Sequence, residues 1–138
     1  MGRITRFEEI EAWQDARTLA NMVYRVAQQT ALSRDFGLKD QITRAAVSVM
    51  ANIAEGFGRN RNTEFTHYLR IASGSCAEVC SHLYIALDSG KIEKSDFDSI
   101  REQADKTGRK ITALSRYLKS LANQGQVKEL PAEYTTNE

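Results

Sequence analysis

The stretch from Arg44 to Arg59, RAAVSVMANIAEGFGR, decides the fold of this chain. Between Ile42 and Ala54 nine of thirteen residues are apolar, and they surround most of a helix instead of marking one stripe. A helix that apolar on most sides must be covered on most sides. The polar residues inside it are ordered: Arg44, Ser48, Asn52 and Glu55 recur at helical spacing and form one ridge. They read as structural or interface residues. A buried polar group left unsatisfied costs about 1–3 kcal/mol, so each should meet another helix or a second subunit. The stretch therefore predicts a central helix, packed inside its own domain and against another copy.

Outward from it, three further helices follow from periodicity. Helix one is predicted over 7–30, with Trp13, Ala16, Leu19, Val23 and Ala27 at three-four spacing and acids in its early turns. Helix two is predicted over 37–56. Helix three is predicted over 63–89, capped by Asn62 and ended by Gly90. Helix four starts after Ser95 as N-cap and carries Phe97, Ile100, Ala104, Thr107, Ile111, Leu114, Leu118 and Leu121 as a coiled-coil-like seam. The short connections make neighbours antiparallel. The fold class is all-α, an up-down-up-down four-helix bundle over 1–123, with a polar and flexible tail over 124–138.

Composition agrees with a single soluble domain: 138 residues, 41% hydrophobic and 27% charged, with one proline. No run approaches the length of a membrane span, and the N-terminus lacks an apolar signal core, so the expected location is cytoplasmic. Cys76 and Cys80 lie one turn apart on one helical face, which suits packed small hydrophobes better than a disulfide. In the middle of helix three, Ala72, Ser73, Gly74 and Ser75 form a small-residue patch. A helix-interior glycine costs about 1 kcal/mol relative to alanine, so close approach of another backbone is expected. That backbone belongs either to the same bundle or to a second subunit.

Catalytic chemistry is not apparent. A di-iron bundle needs two Glu-x-x-His pairs, and this chain has one, Glu64 to His67. No Walker A, nucleophile-elbow or dinucleotide-binding pattern occurs. Gly56-Phe57-Gly58 follows a helix and reads as its C-cap and turn. The expectation is no enzyme, no metal and no cofactor.

The charge map is more informative, although the net charge of +1 argues against strong bulk attraction to nucleic acid. From Lys106 to Lys128 there are six basic residues and no acid. In an up-down-up-down bundle, the N-terminus, the second loop and the end of helix four share one pole. That pole collects Arg3, Arg6, Arg59, Arg61, Arg116 and Lys119, the candidate nucleic-acid-binding residues. Glu8, Glu9, Glu11, Glu55 and Glu64 lie there too and weaken the patch. Tyr117 and Phe57 are candidate stacking surfaces.

The same residues carry a resemblance. The segments FGLKDQITRAAVSVMANIAEGFGR (36–59) and EFTHYLRIASGSCAEV (64–79), with the run from Phe7 to Trp13, are similar to the four-helix-bundle family of 23S rRNA intervening-sequence proteins. The block from Asn52 to Gly56 and the pair Gly74 and Ser75 are its most specific features. Met50 stands where many members carry proline, so no kink is expected in helix two. The resemblance implies a bacterial, cytosolic, ring-shaped homopentamer. It also implies kinship with accessory proteins of diversity-generating retroelements, which bind RNA or DNA and a reverse transcriptase. It brings no catalytic residues. Two functions remain open: a nucleic-acid-binding accessory oligomer, and a protein-interaction scaffold without nucleic-acid contact.

Overall fold

The computed structural model describes residues 3–123 and 131. Its four helices are α1 (Glu11–Gln29), α2 (Phe36–Phe57), α3 (Asn62–Asp88) and α4 (Lys94–Asn123). Each packs against two neighbours in a closed cycle, α1–α2, α2–α3, α3–α4 and α4–α1, and the α2–α3 contact is the most extensive. This is the expected all-α four-helix bundle. The tail over 124–138 lies outside the described residues apart from Pro131, whose backbone bridges Arg3 in an isolated antiparallel pair.

The seam of α4 is buried at all eight expected positions, including Thr107, whose hydroxyl donates to the Gln103 carbonyl at 2.8 Å. That local bond is why a polar residue is tolerated in the seam. α2 runs through Met50 without interruption. Its core face is Ile42, Ala45, Ala46, Val49 and Ile53, all buried.

Helix ends differ from expectation, each for a local reason. The first helix does not begin at Phe7. Phe7–Glu9 form a 3-10 turn, and Ile10 (φ −78°, ψ 122°) breaks it from α1. The Glu9 carboxylate accepts from the backbone N–H of Thr5 (2.9 Å) and Arg6 (3.1 Å), which fixes the turn. The break turns Ile10 inward to full burial. α2 starts a residue earlier than expected because the Asp35 side chain caps it, accepting from the Leu38 N–H at 3.2 Å. Its C-cap is Gly58, not Gly56. Asn62 is the first residue of α3, with Arg61 as N-cap, and α4 begins at Lys94, ahead of Ser95.

The end of α3 is as expected. Gly90 has φ 73°, the Lys91 N–H reaches the Ala86 carbonyl at 2.8 Å and the Gly90 N–H reaches Leu87 at 3.0 Å. Those two bonds make a Schellman motif, which needs the left-handed residue.

Gly56 has a different role from the expected cap. A Cβ there would lie 2.8 Å from the Tyr68 Cβ and 2.9 Å from the Phe65 ring. The glycine lets α2 and α3 close together at their joined end. Gly74 is the reverse: it is exposed, and nothing within the subunit lies within 4 Å of its Cβ position. The close backbone approach expected at Gly74 is therefore absent within its own bundle, as far as the described residues go.

Candidate nucleic-acid interface

Three exposed segments meet at one pole: the stretch before α1, the 58–61 connection, and the last turns of α4. All six candidate cations there lie at the surface. They are not equivalent. The Arg6 guanidinium donates to Glu8 at 3.2 Å. Arg59 donates to Glu55 at 3.1 Å and to the Tyr68 hydroxyl at 2.7 Å, with its guanidinium 5.1 Å from the Tyr68 ring centroid. The Tyr68 hydroxyl, then Glu55, hold its pKa above the ordinary value. Arg3 is tied through its backbone to Pro131. Arg61, Arg116 and Lys119 form no ion pair among the described residues. These three carry charge that no acid among the described residues pairs.

The expected stacking surfaces are not exposed. Phe57 and Tyr117 are half-buried against the core, and Phe57 sits edge-on to Phe65 with centroids 6.1 Å apart. With those rings turned inward, the pole offers charge to phosphates and little to bases. Part of the basic run is also spent elsewhere. Lys110 reaches Glu11 and, at 3.1 Å, Asp15, while Lys106 lies 3.6 Å from Asp15. Burial opposes the Lys110 charge, but its bonds to Glu11 and Asp15 outweigh it and raise the pKa. These two lysines clamp α4 to α1.

The ridge on α2 separates into two kinds of contact. Ser48 and Ser75 share a hydroxyl–hydroxyl bond of 2.8 Å across α2 and α3. Asn52 donates to the Ser48 carbonyl at 2.8 Å and to its hydroxyl at 2.9 Å. Among the described residues only Ser48 of the four bonds to another helix: Asn52 bonds within α2, Arg44 pairs with Asp40 one turn back at 2.9 Å, and Glu55 pairs with Arg59 in the 58–61 connection at 3.1 Å. Both pairs are solvent-accessible, and these local bonds satisfy them without a second subunit.

The α3–α4 face was not singled out from the sequence. There an open groove of about 890 Å³ runs between the helices, with Arg101, Arg109 and Arg116 on its α4 side. Their spacing of eight and seven residues, two helical turns each, was the available signal. Cys76 lines the same groove and burial pushes its thiol up to about 12; Cys80 is raised in the same direction, also by burial. No group of three or more metal-ligating side chains occurs among the described residues. No helix among them is long and apolar enough to cross a membrane.

Comparison with known proteins agrees with this architecture. A family model described as 23S rRNA-intervening sequence protein matches residues 8–113. The fold is similar to the crystal structure of a protein of unknown function of the S23 ribosomal protein family from Bacteroides thetaiotaomicron. The TM-score is 0.69 at 19% identity, over 75% of this chain and 97% of the other. No curated protein matches the chain.

Proposed function

We propose that this chain, which belongs to the 23S rRNA-intervening sequence protein family, is a non-catalytic cytoplasmic homo-oligomer that binds nucleic acid through phosphates at its basic pole. The observation that carries the binding is the trio Arg61, Arg116 and Lys119, at the surface of one end without an ion pair among the described residues. Phosphate contacts of this kind add affinity without reading sequence.

Assembly is supported by the outer face of α2 and α3. Six large hydrophobics are exposed among the described residues, and five of them, Phe36, Val47, Ile71, Tyr84 and Ile85, lie on these two helices. Clustered exposed apolar surface marks an interaction site, whereas scattered residues need no explanation. Gly74, on α3, has open space at its Cβ position, room for a second copy. The proposed assembly is a pentamer, in which modest contacts per subunit add up along one ligand. Its proposed partners are structured RNA or DNA and, in a retroelement setting, a reverse transcriptase.

The test is a salt titration of RNA binding. Arg61→Ala with Lys119→Ala should weaken binding and lower the slope of log affinity against log salt by about 0.7–0.9 for every phosphate the variant no longer neutralises. An unchanged slope would transfer the function to a protein scaffold. One observation favours that second reading: Arg6 and Arg59 are already neutralised by Glu8 and Glu55.

A further inference from the structure

We propose that the groove between α3 and α4 is a docking site for an acidic amphipathic helix of a partner protein. This inference does not rest on self-assembly; it shares Arg116 with the nucleic-acid pole, and the RNA arm of the test separates the two. The groove floor is built from small side chains: Cys76 and Ala77 on α3, Ala104, Gly108 and Ala113 on α4. Small residues let a further helix approach closely, and ridges of side chains then seat between the two rows. The glycine is informative. Gly108 lies in the middle of a 30-residue helix, where it costs about 1 kcal/mol relative to alanine. No neighbour explains it, because nothing lies within 4 Å of its Cβ position. The space it leaves opens into the groove.

Charge sets the class of occupant. The α4 wall carries Arg101, Arg109 and Arg116 against one acid, Asp105, while the α3 wall contributes the uncharged Ser73, Cys80 and Tyr84. Arg101 is held in place, donating to the Tyr84 hydroxyl at 3.1 Å and to Asp105 at 3.3 Å. Arg109 and Arg116 form no ion pair among the described residues. An apolar floor flanked by arginines fits a helix with an apolar face and acids beside it. From Arg101 to Arg116 the wall runs about 22 Å, so the ligand helix is about four turns long, its acids recurring every two turns. A nucleic-acid strand fits less well. The floor has no use for phosphates, and the ring in the groove, Tyr84, is already engaged by Arg101.

The probe is a fluorescein-labelled peptide of about 18 residues with an alanine-leucine face and glutamates two turns apart, followed by anisotropy with the full chain. The expected result is saturable binding, weakened about tenfold by Arg109→Glu, and also by Gly108→Leu. Gly108→Leu is the decisive variant, because its Cβ meets nothing within 4 Å and the side chain adds bulk to the groove lining while improving helix propensity. Circular dichroism confirms that it folds. Equal binding by Gly108→Leu, or no saturation with the parent chain, overturns the proposal. A short single-stranded RNA that binds the parent more tightly than the peptide, and fails to bind Gly108→Leu, assigns the groove to nucleic acid and also overturns it. Light scattering on the same samples separates self-assembly: a change in oligomer size with Gly108→Leu makes the groove a contact between copies, and the partner-helix proposal falls.

Discussion

Replacing Gly56 by alanine tests the packing logic of this bundle most directly. The added methyl would lie 2.8 Å from the Tyr68 Cβ, 2.9 Å from the Phe65 ring and 3.3 Å from the Phe65 carbonyl oxygen. The nearest obstacle is a Cβ next to the α3 backbone, so no flexible side chain can swing away, and the helices must part. Inserting a methyl into a filled core costs about 1–3 kcal/mol. Better helix propensity returns up to about 1 kcal/mol, less near a helix end. We expect a net destabilisation of about 1–2 kcal/mol. Urea denaturation followed by circular dichroism measures it, with a melting temperature lower by several degrees. Gly108→Ala is the internal control: with nothing within 4 Å of its Cβ position, it should stabilise by up to about 1 kcal/mol. If Gly56→Ala proves neutral, or stabilises as Gly108→Ala does, the close α2–α3 approach is not what holds glycine there.

Three other outcomes follow from the structure. Ser48→Ala leaves the buried Ser75 hydroxyl without its cross-helix partner and should cost about 1–3 kcal/mol, while adding Ser75→Ala should cost less than the sum; a double-mutant cycle in urea measures the coupling. The Cys76 thiol is held up to about 12 by burial, against an ordinary value near 9, so between these pH values the unfolded chain releases a proton that the native state keeps. Stability from this group is therefore complete below about pH 9 and falls as pH rises, and Cys76 should react with a thiol reagent at about pH 8 more slowly than in urea. If the proposed homo-oligomer forms, Val47→Glu with Ile71→Glu, which places charge at two exposed apolar positions of α2 and α3, should reduce its size in light scattering while leaving the helical spectrum intact.

Much of the architecture was legible in residue order because helical periodicity is a local property. The α4 seam from Phe97 to Leu121 buries at all eight expected positions, since three-four spacing fixes which side of a helix is apolar. Gly90 was legible for a related reason: a left-handed residue after a helix is a need of the backbone alone. The pole of basic residues was legible as a consequence of up-down-up-down order. Helix ends were less so. Asp35, Ile10 and Lys94 mark boundaries that depend on which cap wins among several candidates a residue or two apart.

Tertiary structure alone decided how the polar and small residues are used. The spacing of Arg44, Ser48, Asn52 and Glu55 placed them on one ridge, but only the α2–α3 register brought Ser48 to Ser75, while Arg44 found Asp40 on its own helix and Glu55 found Arg59 just past its end. Gly56, Gly74 and Gly108 all lie inside helices. One is pressed against Tyr68 and the other two face open space, because close approach depends on where a neighbouring helix lies. Lys106 and Lys110 left the basic run to clamp α1, and Arg101, Arg109 and Arg116 became a wall because α3 lies beside them. Residue order determines which face of each helix is apolar, through a repeat of a few residues. Partners and grooves are relations between segments dozens of residues apart, and they exist only once the helices have packed.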